Sequence, residues 1–428
     1  MIDRIVVIND LSRPTGGASL LAIQSARGFA SRGHRVTFIS GDRPSGETDS
    51  GIDHVSLGSD RLLAGNPVQS FVNGIYNRKA RAMIEAWIAA NDTPRTIYHL
   101  HGWMQILSPA VFGALEKVWD RVIVTAHDFF LSCPNGAFFD FQREEACTRR
   151  PLGADCLTTA CDRRGIAHKA WRTGRQVPQA RKFAGRGYPK ILLIHGAMTE
   201  YFRRSGIPAS QMSVLPNPVT PFCENPVDAA ANSDILFVGR IEQTKGIDLA
   251  AEACRRAKVR LVAVGDGALL QEMKSSYPQM EFVGRLAHHE IADRAARARM
   301  LVMPSRHMEP FGLSAVEALW SAIPVALSRN SLIADDVVSS GSGIAFDPTD
   351  IGEFAAQLAR IAVDDAAVAQ MSRQARLGTR HLASDPEAWL DGLLDAYEEL
   401  VEEECSRVRS VNTARPRSER QLSFVGEK

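Results

Sequence analysis

No stretch of the 428-residue chain approaches the ~20 apolar positions that a membrane-spanning helix requires. At the N-terminus, Asp3 and Arg4 precede only the short run Ile5–Ile8, too little for the apolar centre of an export signal. The expectation is a cytoplasmic protein. Seven cysteines are too few for a disulfide framework at this length, and that compartment keeps them reduced. Net charge is also nearly absent: 50 Lys and Arg stand against 49 Asp and Glu, leaving +1. A dedicated nucleic-acid binder is usually strongly basic, so nucleic acid is not an expected partner. What is present is an ordinary globular mixture, 45% hydrophobic and 23% charged, which excludes a disordered or collagen-like chain. At ~150 residues per domain, the length suggests two or three domains.

Short β-branched runs alternate with helical patterns. Ile5–Ile8, Arg35–Ser40, Thr96–His99, Val122–Thr125, Ile191–His195 and Met212–Leu215 read as strands in the first half. In the second, Ile235–Val238, Arg260–Val264, Met280–Val283, Met300–Met303 and Pro324–Leu327 do so. This rhythm predicts an α/β fold with parallel sheets covered by helices. Pro216, Pro218, Pro221 and Pro226 make the intervening stretch poor helix and poor strand. The expected organisation is a domain over 1–216, a linker at 217–232 and a second domain over 233–384. A C-terminal helix at 385–405 and a disordered tail at 406–428 follow. A cleft between two such domains is the expected ligand site, with hinge motion near Pro216–Pro226.

The second half carries the chemistry. Strand ILFV ends in Gly239–Arg240, and Lys245–Gly246 follows at a helix start. A guanidinium fork and an ammonium converging there suit a diphosphate, although each is also an ordinary surface cation. Gly265–Asp266–Gly267 ends the next strand in a tight turn, but no third glycine completes a dinucleotide fingerprint. In LVMPSRHMEPFGLSAVEALW, Pro310 is expected at the first helical position. Phe311, Gly312 and Leu313 would then offer free amides to an anion. Glu309 precedes this helix and Glu317 lies about two turns inside it. Either is also explicable as a favourable charge at a helix start or as a solvated helix face.

Taken together, Gly-Arg-x4-Lys-Gly, Gly-Asp-Gly and Glu-Pro-Phe-Gly-Leu-x3-Glu resemble the retaining GT-B glycosyltransferases of family 4. Gly16–Gly17 after the first strand and Leu215-Pro-Asn-Pro before the linker extend the resemblance over nearly the whole chain. It implies two Rossmann-like domains with parallel sheets facing a central cleft, and transfer of a sugar from a nucleotide-sugar donor to a saccharide acceptor. It also implies roles. Arg240 and Lys245 would hold the diphosphate and stabilise charge on the departing nucleotide, Glu309 would contact sugar hydroxyls, and Glu317 the ribose. Backbone at Arg285–Leu286 would read the base, with Gly265 lining the donor site. Gly16 and Gly17 would approach the phosphates or the transferred sugar. His127 in VTAHDFF would approach the donor sugar and His101 in HLHGW would face the acceptor, while a structural histidine is the commoner reading for either. Ala322 stands where the family often has glycine before Ile-Pro-Val, and Asn330–Ser331 replaces a glycine pair, changes that bear on donor-sugar identity. No Asp-x-Asp occurs and no second carboxylate suits a double displacement, so retention by front-face substitution without a cofactor is expected. An epimerase or sugar phosphorylase on the same fold, and an inactive binding subunit, remain alternatives.

Cys133, Cys147, Cys156 and Cys161 cluster in an insertion at 133–161. They suggest a structural four-thiolate zinc site or an iron–sulfur cluster; ordinary buried thiols and, last, disulfides are the alternatives. Residues 163–190 then carry nine Lys and Arg and no acid. With +4 in the tail, the remainder of the chain sums to about −12, so the overall neutrality is a cancellation. A basic amphipathic helix here suits the anionic inner face of a membrane and a lipid-linked acceptor, as in bacterial lipopolysaccharide or exopolysaccharide assembly. A solvated helix face is the alternative.

Overall fold

The computed structural model describes residues 2–44, 50–61 and 67–414. The chain divides into two compact units. One comprises Met1–Thr15, Ala22–Val124 and Leu390–Lys428, the other Gly16–Leu21 and Thr125–Trp389.

In the first unit, β1 (Arg4–Asn9) is buried at every residue, as its uninterrupted RIVVIN run requires of a strand covered on both faces. It pairs in parallel with β2 (Val36–Ser40) and β4 (Thr96–Leu100), so Ile5 lies opposite both Val36 and Ile97. β3 (Ile52–Ser56) joins β2 and β5 (Val122–Ala126) joins β4, giving the order β3-β2-β1-β4-β5. The Asp10 carboxylate accepts hydrogen bonds from the amides of Gln105, Ile106 and Leu107 at 2.6, 2.8 and 2.8 Å, fixing the turn beyond β4. The helix Pro386–Ala414 returns onto this unit, where Tyr397 packs on Phe29 with ring centroids 5.4 Å apart. A β-carbon at Gly28 would fall 2.4 Å from Leu390 Cδ1, so a larger residue there would displace that side chain.

The second unit begins with an irregular insertion. It contains the short hairpin β6 (Phe139–Asp140) and β7 (Glu145–Ala146), the helix Ala154–Thr158 and the helix Ile166–Arg186. β8 (Lys190–Leu193) and β9 (Met212–Val214) form a parallel pair. Six more strands follow: β10 (Asp234–Val238), β11 (Leu261–Val264), β12 (Glu281–Gly284), β13 (Ala298–Met303), β14 (Val325–Ser328) and β15 (Gly343–Phe346). They make a parallel sheet in the order β12-β11-β10-β13-β14-β15. Its core joins Ile235, Phe237, Ala263 and Met300 to Ile247, Ala250, Ala251 and Cys254 of the helix Ile247–Ala257, which recur at the spacing of one helix face. Arg299 of β13 is buried among carbonyls, donating to the oxygens of Ile361, Ala230 and Asn232 and to Asp365.

The proline-rich stretch is held in place rather than loose. Val219 N donates to Ser384 O at 3.0 Å, and Ser384 N to Asn217 O at 3.1 Å. The C-terminal helix continues to Ala414, beyond the 385–405 segment expected, so residues 406–414 are helical rather than disordered. Residues 415–428 of the expected tail lie outside the described residues.

Candidate active site

The glycines at the ends of β10, β11 and β12 bring three strand ends together. Gly265, at φ +145°, has its α-carbon so close to β10 that a β-carbon would fall 1.8 Å from Gly239 O. Gly239 N donates to Val264 O and Gly265 N to Gly284 O, so backbone alone forms this floor. A third close approach follows at Gly246, at φ +71°, where a β-carbon would lie 1.9 Å from Pro304 O. Gly246 thus lets the start of the helix Ile247–Ala257 abut the loop after β13.

That contact brings Lys245 onto Glu309. The Lys245 ammonium donates to the Glu309 carboxylate, and Ser305 Oγ donates to the same oxygen at 3.2 Å. Burial works to raise the Glu309 carboxyl, but Lys245, His307 and Ser305 outweigh it and hold it below its ordinary value. Glu309 is also fixed through its backbone: its N–H donates to Asn330 O at 3.1 Å and its carbonyl accepts from Leu332 N at 3.0 Å. Arg306 reinforces the arrangement with two 2.6 Å bonds to Asp248 and one of 2.8 Å to Gln243 O. Arg240 does not join the Lys245–Glu309 pair. Its exposed guanidinium lies on Glu242 at 2.8 and 2.9 Å.

Pro310 is not the first helical residue. The helix runs Leu313–Trp320 with Gly312 as its N-cap at φ +83°, a left-handed conformation that cannot continue a helix. Phe311 therefore precedes the helix and buries its ring, and Leu313 is the first helical residue. Glu317 lies just over one turn inside, not two, and faces His288 Nε2 at 3.4 Å. That hydrogen bond, against some burial, raises the His288 imidazole above its ordinary value. Gly17 opens the helix Gly17–Ser31, and a β-carbon there would touch Leu313 Cδ1 at 3.3 Å, while Gly16 has open space. Arg285 is exposed and Leu286 half-buried just beyond β12.

His127 follows β5, and burial pushes it down to about 4, so its imidazole is neutral at physiological pH. His101 belongs to the first unit and is buried, its ring 4.0 Å from that of His99, which bonds Tyr397 OH at 2.6 Å. Ser305 and Arg306 stand inside the motif that singles out Glu309, and Asp248 and Glu242 lie two or three residues from Lys245 and Arg240. Hydrogen-bond reach was their missing signal. For His288 nothing local gave one.

The four clustered cysteines are buried and free. They do not arrange as a ligand set: among the described residues, no three His, Cys, Asp or Glu side chains are placed to hold a metal ion. Cys133 acts as a thiol donor to Asn135 Oδ1 at 3.1 Å, with burial pushing it up to about 11. The Lys169 ammonium lies against Cys156 and Cys161, a cation where a second cation would have to bind. The basic stretch does form a helix, Ile166–Arg186, but part of its charge turns inward. Lys169 meets the thiols, Arg172 pairs with Asp162 at 3.0 Å, and Arg175 lies over Trp171. No helix among the described residues is long and apolar enough to cross a membrane.

Residues 229–378 match the family "Glycosyl transferases group 1", and residues 15–221 match "Glycosyltransferase Family 4". A glycogen synthase of Mycobacterium tuberculosis is 28% identical over 292 residues, 63% of this chain, and the match spans 66% of that relative's length. Among solved structures, a sucrose-phosphate synthase from Thermosynechococcus elongatus superposes with a TM-score of 0.70 at 18% identity, covering 94% of this chain and all of that one. Anabaena HepE in complex with UDP gives 0.63 at 13% identity, covering 92% and 100%. WaaG, a glycosyltransferase involved in lipopolysaccharide biosynthesis, gives 0.62 at 15%, covering 91% and 98%. These likenesses share one architecture, the GT-B fold.

Proposed function

Because this chain belongs to the group 1 and family 4 glycosyltransferases, matched along both its halves, we propose that it is a retaining enzyme that moves a sugar from a nucleoside-diphosphate sugar to a saccharide acceptor. The observation that carries this reading is the Lys245–Glu309 pair beside a floor of strand-end backbone. A cation is held ready for a diphosphate, and a carboxylate is kept ionised to accept hydroxyl hydrogen bonds. Both are fixed before any ligand arrives, which is what electrostatic stabilisation of a departing nucleotide needs.

In this mechanism Lys245, held beside Glu309, meets the β-phosphate when the donor binds and stays on it as the glycosidic bond breaks, while Arg240 exchanges Glu242 for the same group on binding. Glu309 then holds sugar hydroxyls and Glu317 the ribose, while Arg285, Leu286 and Gly265 line the base and phosphate side. Gly16, Gly17 and the amides near Gly312 approach the phosphates. Neutral His127 offers the sugar a hydrogen bond rather than a charge, and His101 lies on the acceptor side. The acceptor attacks from the face that the nucleotide leaves, without a cofactor. Residues 1–216 form the acceptor domain and 233–384 the donor domain.

The HepE complex with UDP supports a nucleotide donor, and WaaG, involved in lipopolysaccharide biosynthesis, supports a place in bacterial surface or exopolysaccharide assembly; a lipid-linked acceptor rests on the basic segment 163–190. Peripheral docking on an anionic membrane belongs to the same reading. It rests on the exposed Arg163, Arg164, Arg181 and Arg186 with Ile166 and Val177. Co-sedimentation with liposomes that ignores anionic lipid content refutes that part.

The main test is a thermal-shift screen against UDP-, GDP- and ADP-sugars, followed by NMR of the product. One class of donor should raise the melting temperature, since it binds only the folded state. The product should keep the donor's anomeric configuration. No shift with any donor refutes the function, and an inverted anomer refutes the mechanism.

A further inference from the structure

The helix Ile166–Arg186 delivers one lysine to a place where lysine is costly. Lys169 is 2% exposed, and its ammonium donates to Cys156 Sγ at 3.4 Å and Cys161 Sγ at 3.2 Å. A buried ammonium is tolerated only beside negative charge or strong acceptors, and neutral thiols are weak ones. The arrangement therefore favours whatever puts negative charge on these sulfurs. Burial works to lower the Lys169 ammonium, but Cys161 and Cys156 outweigh it and raise it. Burial likewise raises the Cys161 thiol, with Lys169 opposing it. Cys161 Sγ also accepts from Asn135 Nδ2 at 3.4 Å. One ammonium touches both sulfurs, so they lie within a side-chain movement of each other.

The same residues reach the catalytic loop. The carbonyl of Cys161 accepts from Phe141 N at 3.2 Å and from Asn135 Nδ2 at 3.3 Å. The Phe141 ring centroid lies 5.9 Å from that of His307, two residues before Glu309. Phe141 thus connects the backbone at Cys161 to the loop that holds Glu309.

We propose that Cys161 and Cys156 form an oxidisable thiol pair, in which Lys169 favours attack of Cys161 on a hydroperoxide and Cys156 closes a disulfide. In the first step the Cys161 sulfur takes a hydroxyl from hydrogen peroxide, its thiol proton leaves with the other oxygen as water, and a sulfenic acid forms. In the second, the Cys156 sulfur displaces that hydroxyl, which departs with the Cys156 proton as a second water. Two thiols and one peroxide give one disulfide and two waters. Cys161 is the attacking sulfur because it has the shorter contact with Lys169 and the added amide. The disulfide removes both acceptors of a buried cation, so the insertion must rearrange, and Phe141 shifts against His307.

The test uses the full chain treated with hydrogen peroxide, alkylated, digested with trypsin and weighed. Both cysteines fall in one tryptic peptide, 150–163, while Cys147 and Cys133 fall in others. Peptide 150–163 should lose two hydrogens and resist alkylation, and a reducing agent should reverse this. Cys156→Ser should halt at a sulfenic acid that dimedone labels on Cys161, whereas Cys161→Ser should leave Cys156 unlabelled. Lys169→Met should slow bridging about tenfold, because it removes the ammonium that favours charge on the Cys161 sulfur. If Lys169→Met fails to fold, the dimedone labelling decides. The oxidised chain should bind UDP several-fold more weakly than the reduced one. A folded, peroxide-treated chain whose peptide 150–163 still alkylates fully overturns the proposal, as does one zinc or iron per chain released only by a chelator. A bridge that leaves UDP affinity unchanged overturns the link to the catalytic loop. Because mass and labelling are read without a sugar donor, these outcomes stand apart from any failure of the proposed transferase activity.

Discussion

Replacing Lys245 with methionine keeps the length of the side chain and removes its charge from Glu309. The two partners are 22% and 14% exposed, so the pair is largely shielded from water. At contact distance and an effective dielectric near 20, the gross attraction is about 4–5 kcal/mol. Methionine at 245 leaves the Glu309 carboxylate desolvated without its partner, a loss of about 3–5 kcal/mol. At about 2–4 °C per kcal/mol for a domain of this size, the melting temperature should fall by about 6–20 °C at pH 7.5. The sign of the pH dependence is more diagnostic than the size. In the native chain the Glu309 carboxyl is depressed, so its pairing stabilises above the unfolded value near 4.5 and is lost as pH falls through the folded one. In Lys245→Met the chief lowering influence is gone and burial remains, so the carboxyl shifts upward. The variant's deficit should therefore shrink as pH falls from 7.5 toward 5, because a protonated acid no longer needs the ammonium. Adding Glu309→Gln to Lys245→Met should restore much of the lost stability at pH 7.5. Differential scanning fluorimetry across pH measures all three proteins. A deficit constant from pH 8 to 5, or a double variant no more stable than Lys245→Met, would refute the reasoning.

Three other outcomes follow from the same geometry. Ala322 adopts φ +64°, a left-handed conformation that costs a β-carbon about 1 kcal/mol, so Ala322→Gly should raise the unfolding free energy read from urea denaturation by up to about 1 kcal/mol, less the greater freedom of glycine when unfolded. Arg299→Ala strands three buried carbonyls and should lower stability by about 2–4 kcal/mol, measured by the same denaturation. Because Glu317 raises the His288 imidazole, the pair is intact below that raised value and lost as pH rises through it. Affinity for UDP, followed by calorimetry from pH 6 to 8, should increase over that span, and His288→Ala should flatten the rise.

The alternating pattern made the parallel sheets legible because buried parallel strands are continuous apolar runs, as IVVI in RIVVIN and MLVM in ARMLVM are. β3 escaped because an edge strand needs no such run, and IDHVS carries an aspartate and a histidine. β15 escaped because GIAF opens on a glycine. Within the site, Lys245 and Glu309 were legible as chemistry, and their mutual contact was not, since 64 residues separate them. Arg240, read beside Lys245 as a diphosphate ligand, lies on Glu242, which is nearer along the chain and was not singled out. The cysteines were legible as a cluster, while the lysine that occupies it came from a helix read only for its outer face.

Glu309 has one further property, which lies in its main chain. Its amide and carbonyl are bonded to residues 330 and 332, the stretch where Asn330–Ser331 takes the place of a glycine pair, and Asn330 Nδ2 also bonds Arg306 O at 2.7 Å. The carboxylate is thus carried by one loop and aimed by another. On the proposed role of Glu309 at the donor sugar, changes in the second loop re-aim it, while Lys245 and the strand-end floor stay as they are. A library randomised at 330 and 331 is accordingly the place to seek altered donor choice in an enzyme that still turns over.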